Sequence, residues 1–207
     1  METPPLAHPT KDEIKKYRHW WDSLTEPWKQ AFNEAFLHQS NTQFPPDETL
    51  HLIWNTGPLR FAGPSAMFPN TTIALDDLSG VVQLPNVEIL VVTNHNIQSL
   101  TEIAHMTGLK SLFVFSNKLR SIEGVENLKS LRNLYFNDNQ VESLRPLANL
   151  TQLETIHCAH NKISTLDGIG MDHKAALENF YCLPNDNLLS VDVLDFERRT
   201  RIACKKG

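Results

Sequence analysis

The sequence predicts an α/β solenoid of about five stacked coils with an N-terminal helical cap. Three observations predict it. One motif returns every 22 residues, the centre of each copy alternates inward and outward, and a separate run with helical spacing precedes the first copy.

The segments LKSLFVFSNKLRSI from Leu109, LRNLYFNDNQVESL from Leu131 and LETIHCAHNKISTL from Leu153 align without gaps. Each reads L-x-x-L-x-L-x-x-N-x-L with conservative exchanges, its asparagine being Asn117, Asn139 or Asn161. One period earlier, VEILVVTNHNIQSL from Val87 keeps Leu90, Val92, Ile97 and Leu100 but places His95 where asparagine stands elsewhere. After two inserted residues, Leu177, Phe180, Cys182 and Asn185 make a looser fifth unit, and upstream Ile73, Leu75 and Leu78 look like half a unit. Over roughly residues 71–187 the pattern resembles the leucine-rich-repeat family in its short, 22-residue class. Bacterial internalins and repeat-built phosphatase regulatory subunits share that period. The resemblance implies a right-handed arc and a role in protein interaction without catalysis; a fold alone does not specify the partner.

Physical chemistry leads to the same architecture. A coil of 22 residues cannot bury its own apolar side, so it must stack on neighbours. Leu112, Val114 and Leu119 point inward from one coil, Leu134, Phe136 and Val141 from the next, and Ile156, Cys158 and Ile163 from the third. Alternation with period two makes the middle of each motif a strand, and the strands stack in parallel about 4.8 Å apart. Asn117, Asn139, Asn161 and Asn185 form an expected ladder where the chain leaves the strand, offering donors and acceptors to turn backbone. A carboxylate there would be a buried charge and a leucine would satisfy nothing. His95 can both donate and accept, so it suits the same position in the first regular coil.

A solenoid needs its apolar ends covered, and residues 1–60 are assigned to an N-terminal cap. Pro4, Pro5 and Pro9 suggest a loose start. Thr10 and Glu13 make a capping box, followed by Ile14, Tyr17, Trp21 and Leu24 at helical spacing. Thr25 caps a second helix, with Pro27 in its first turn and Trp28, Phe32, Ala35 and Phe36 as its stripe. A third short helix runs from Asp47 to Trp54. All four tryptophans fall in this cap and are assigned to its core. The proline- and glycine-rich stretch 55–70 reads as a connector, so the solenoid is assigned to 61–187 with 61–70 as its leading connector. Residues 188–207 are assigned to a C-terminal cap, in which Leu188, Leu189, Val191, Val193 and Phe196 cover the last coil, and to a basic tail.

The chain has 207 residues, 41% of them hydrophobic and 21% charged, with a net charge of −5, which speaks against a globally basic nucleic-acid binder. No apolar run reaches membrane-spanning length, so no nucleic-acid or membrane partner is expected. Three cysteines without a C-x-x-C pair argue against a disulfide framework, and residues 1–17 have no apolar core segment. A cytoplasmic location with reduced thiols is therefore the expectation.

Catalytic patterns are missing: there is no glycine-rich phosphate loop, no G-x-S-x-G and no H-E-x-x-H. The cluster His157-Cys158-Ala159-His160, with Asp138 one coil away, reads as polar residues on a binding face rather than a metal site, and no cofactor or metal is expected. Cys158 and Cys182 share one inward position and read as core.

The open strand face carries the functional reading. Val91, Phe113, Tyr135 and His157 occupy one outward position in successive coils, with Phe115 beside them and Asn133, Asn137, Asp138 and His160 around them. Only Asp138 among these is charged when histidine is neutral. Aromatic-rich, charge-poor composition is that of interface cores. These nine residues are the expected contact set for a protein or peptide partner. Self-association, and cover of the face by the chain's own tail, remain open alternatives.

Overall fold

The computed structural model describes residues 8–207, and the loose start expected at Pro4 and Pro5 lies outside them. Helix α1, Lys11–Ser23, opens on a complete capping box. The Glu13 N–H donates to Thr10 Oγ1 at 3.3 Å, and the Thr10 N–H donates to Glu13 Oε2 at 2.7 Å. Helix α2, Glu26–Leu37, has Thr25 at its N-cap, but the hydroxyl makes no capping bond. Helix α3 spans Asp47–Asn55. Their buried faces meet in one aromatic cluster: the Trp20 ring lies 5.1 Å from Phe32 and 5.7 Å from Trp54, edge-on in both cases. Trp20, absent from the stripe read in the sequence, is as buried as Trp21.

Seven strands follow, all parallel and in chain order: β1 Pro58–Ala62, β2 Ile89–Thr93, β3 Ser111–Phe113, β4 Asn133–Tyr135, β5 Thr155–His157, β6 Asn179–Leu183 and β7 Lys205–Lys206. The architecture is the expected solenoid. On the opposite side the coils return through 3-10 turns at 101–103, 125–127, 145–147 and 171–173, which place Ile103, Val125, Leu147 and His173 inside. Each turn is three residues long.

The sheet exceeds the expected five strands at both ends. β1 lies where a structureless connector was expected, so that reading is corrected. Its proline is the first residue of the strand at the sheet's outer edge, a position that needs no donor N–H. Directly after it the chain makes an excursion over 63–70 that breaks the 22-residue period. Asn70 holds that excursion to the strand: Oδ1 accepts from the Ala62 N–H at 2.7 Å, and Nδ2 donates to the Arg60 carbonyl at 2.8 Å. At the other end β7 arises from the basic tail.

The helices cover the first coil. Trp28 and Phe32 each stand edge-on to Phe61 with ring centres 5.1 Å apart, and Trp28 Nε1 donates to Asp77 at 2.9 Å. Gly80 makes room for this indole, since a Cβ there would lie 2.1 Å from Trp28 Cδ2. Helix α4, Ser190–Thr200, covers the last coil with Val193 and Phe196, the latter 5.8 Å from the Phe180 ring. Leu188 is buried beside them, but Leu189 and Val191, expected to help, are exposed. A helix that turns 193, 196 and 200 inward directs 191 outward.

Candidate interaction surface

The sheet's open face is held in place from behind by side-chain amides. Each asparagine accepts from a backbone N–H of the preceding coil through Oδ1: Ile97 to Asn117 at 3.1 Å, Leu119 to Asn139 at 2.9 Å and Val141 to Asn161 at 2.8 Å. Each Nδ2 then donates to carbonyls of its own coil and the one before. For Asn161 these are Cys158, Ala159 and Phe136, at 3.2, 3.3 and 3.0 Å. Asn185 accepts from both Asn161 N–H and Ile163 N–H, and donates to Cys158 and Cys182. The residue before each of the first three asparagines, and before His95, has positive φ: Asn94 60°, Ser116 54°, Asp138 54° and His160 55°. This left-handed step ends each strand and lets the next side chain turn inward.

His95 occupies the same rung. Its Nδ1 accepts from the Leu75 N–H at 3.0 Å, while Nε2 has no hydrogen-bond partner. The side chain is 5% exposed, and burial pushes its pKa down to about 4. Between pH 6.5 and 4 the unfolded chain therefore takes up a proton that the folded chain refuses. Stability is full above pH 6.5 and falls as the pH drops towards 4, by up to about tenfold in the folding constant per pH unit. Urea denaturation at pH 7 and pH 4.5 is expected to show this loss, and His95→Asn should reduce it. An unchanged pH dependence in that variant would remove His95 as its source.

Strand register sets the outward rows. One row runs Arg60, Val91, Phe113, Tyr135, His157, Tyr181 and Lys205. Val91, Phe113, Tyr135, His157 and Tyr181 are half-buried, and the four rings from Phe113 to Tyr181 contact one another in sequence. Phe113 and Tyr135 stack at 4.7 Å and 21°, Tyr135 meets His157 edge-on at 5.8 Å, and His157 lies 5.3 Å from Tyr181. A second row runs Ile89, Ser111, Asn133, Thr155 and Asn179, with Asn133 Nδ2 donating to Ser111 Oγ at 3.3 Å. Phe115 and Asn137 are half-buried beyond the strands, and Asp138 and His160 are exposed at the rim. Asn137 Nδ2 donates to Asp138 Oδ2 at 2.6 Å. Apart from Arg60 in β1 and Lys205 in β7 at the ends of the row, charges begin one residue outside the strands, where they largely cancel: Lys110 pairs with Glu88 at 2.8 Å, and Arg132 lies 3.9 Å from Glu154.

The sequence reading missed Arg60, Asn179, Tyr181 and Lys205 on these rows. Tyr181 stands between Phe180 and Cys182, both already assigned inward, so alternation could have found it. Arg60 and Lys205 carried no repeat signal. His157 is further buried by Gly207, on which a Cβ would lie 2.1 Å from His157 Nε2. Burial lowers the His157 pKa; the Asp138 carboxylate works against this and His160 adds to it. Among the described residues no group of three or more His, Cys, Asp or Glu is arranged to hold a metal ion, and no helix is long and apolar enough to cross a membrane. Cys158 and Cys182 are buried free thiols, and burial raises the Cys158 pKa.

Residues 107–149 and 129–170 match the repeat model described as Leucine Rich repeats (2 copies). Over these residues the coils are leucine-rich repeats, and the class their fold defines is the leucine-rich-repeat solenoid. Among solved structures, an internalin (inlF) from Listeria monocytogenes is similar at 24% identity and a TM-score of 0.49, over 58% of this chain and 34% of that one. Internalin C2 from the same species is similar at 16% identity and a TM-score of 0.43, over 86% of this chain and 92% of that one. The chain thus spans about a third of the length of the inlF protein. No curated protein matches it in sequence. The expected cytoplasmic location does not stand: these structures are internalins, which are secreted or surface-anchored bacterial proteins.

Proposed function

We propose that the solenoid binds a protein or peptide partner on its open strand face, with Phe113 and Tyr135 at the centre of the contact. One observation carries the reading: a continuous, uncharged row of half-buried rings crosses the middle of the sheet, with charged side chains on the row only at its two ends, Arg60 and Lys205, and ion pairs just outside the central strands. Aromatic side chains held by their neighbours lose little freedom on binding, and such anchors dominate interface energetics. Val91, Phe115, Asn133, Asn137, Asp138, His157 and His160 complete the proposed contact set. A regulatory subunit of an enzyme such as a phosphatase and an internalin-like adhesion module are narrower forms of this reading, and differ in the partner.

Phe113→Ala and Tyr135→Ala should each weaken partner binding by about 2 kcal/mol or more while the chain still folds cooperatively, its unfolding midpoint lowered only by the lost ring contact, because neither side chain points into the core. Charge reversal at Glu123 and Glu126, which are exposed on the opposite side, should leave binding unchanged apart from small screened effects. Affinity capture followed by titration of both variant sets at two ionic strengths makes the comparison. Loss of binding in the glutamate variants alone would place the contact on the convex side.

A further inference from the structure

Residues 205–207 lie across the far end of the aromatic row. β7 pairs with β6 through two residues, with an irregular step between Tyr181 and Leu183. Lys205 Nζ donates to the Glu178 carbonyl at 3.0 Å and to Asn179 Oδ1 at 2.7 Å, and stands 5.7 Å from the centre of the Tyr181 ring. The Gly207 N–H donates to the Leu183 carbonyl at 2.9 Å. Its Cα side is pressed against His157, whose Nε2 is buried without a hydrogen-bond partner. These residues combine an added strand, a socket of two oxygen acceptors and an aromatic face around an ammonium, and a seat where a Cβ does not fit.

We propose that this edge of β6 is a strand-accepting site for an extended, lysine-bearing segment of a partner protein, with glycine two residues after the lysine, and that residues 205–207 are its resident occupant. The proposal rests on the open-face reading and adds the chemistry of one end of the partner. Strand addition supplies main-chain hydrogen bonds, and the alternate side-chain sockets supply selectivity. Two carbonyl-type oxygens and a ring face select an ammonium over a carboxylate or an apolar side chain. The resident segment pairs with little of β6, whose five residues run from Asn179 to Leu183, so a longer incoming strand gains pairs that the resident one lacks.

The test uses two opened proteins: a chain ending at Cys204, and the full chain carrying Gly207→Leu, whose Cβ displaces the segment from His157 while keeping every residue. The probe is an end-capped synthetic peptide with the sequence of residues 202–207, serine replacing its cysteine, followed by NMR. Both opened proteins are expected to bind it, with shifts centred on Asn179, Tyr181 and His157, and the unmodified protein at least about tenfold more weakly. Alanine in place of the peptide's first lysine should weaken binding about fivefold or more. Failure of both opened proteins to bind, or equal binding by the unmodified protein, overturns the proposal. The open-face reading is tested separately at Phe113 and Tyr135, which the peptide does not reach. If those variants lose the partner while the opened proteins refuse the peptide, only the strand-accepting site falls.

Discussion

A chain that begins at Gly57, and so lacks α1, α2 and α3, is expected to aggregate rather than fold as a soluble monomer. The helices provide the apolar cover of the first coil. Trp28 and Phe32, tilted against one another, each stand edge-on to Phe61, and Leu59 and Leu78 are fully buried in the same layer. Exposing side chains of this size costs roughly 1.5–3 kcal/mol each, and several are uncovered together. Polar ties are cut as well. Glu34 accepts from the Thr72 N–H and the Thr72 hydroxyl, and Trp28 Nε1 donates to Asp77. Light scattering coupled to size exclusion, with a thermal melt of any soluble fraction, measures the outcome. A monomer that unfolds cooperatively would show that the solenoid closes its own end.

Asn161→Leu is expected to be strongly destabilising. Asn161 is 8% exposed, and its amide satisfies the Val141 N–H and the carbonyls of Phe136, Cys158 and Ala159. Leucine is similar in size but satisfies none of them. An orphaned buried polar group costs about 1–3 kcal/mol, so the N–H and the carbonyls that lose their donor should together cost about 3 kcal/mol or more. Urea denaturation against the parent chain reads this directly. A midpoint unchanged within error would mean that water or a neighbouring group replaces the amide.

The two ends of the solenoid explain what the sequence revealed and what it concealed. From Val87 to Ile163 the inward strand residues repeat at one period, and a two-residue insertion leaves the pattern readable up to Cys182, so periodicity located five strands and oriented their side chains. β1 was concealed because Pro58 and Gly63 bracket it and the excursion over 63–70 displaces the next leucines from register. Two residues of β7 are too few for any alternation to show, and the strand exists only because β6 offers an edge. The central part of the candidate surface, from Val91 to His157, was legible for the same reason as the strands. Its two ends were not, since Arg60 and Lys205 reach the row through those irregular segments. The location of Gly207 against His157 is a tertiary contact with no local signature.

The most direct measurement of the central claim is photocrosslinking from defined positions on each side of the solenoid. A photoreactive phenylalanine analogue at Tyr135, in the middle of the ring row, should crosslink to the captured partner with high yield. The same group at Glu126, on the opposite side, should give little or none. Crosslinking from Glu126 with none from Tyr135 would contradict the account and put the interface on the convex side.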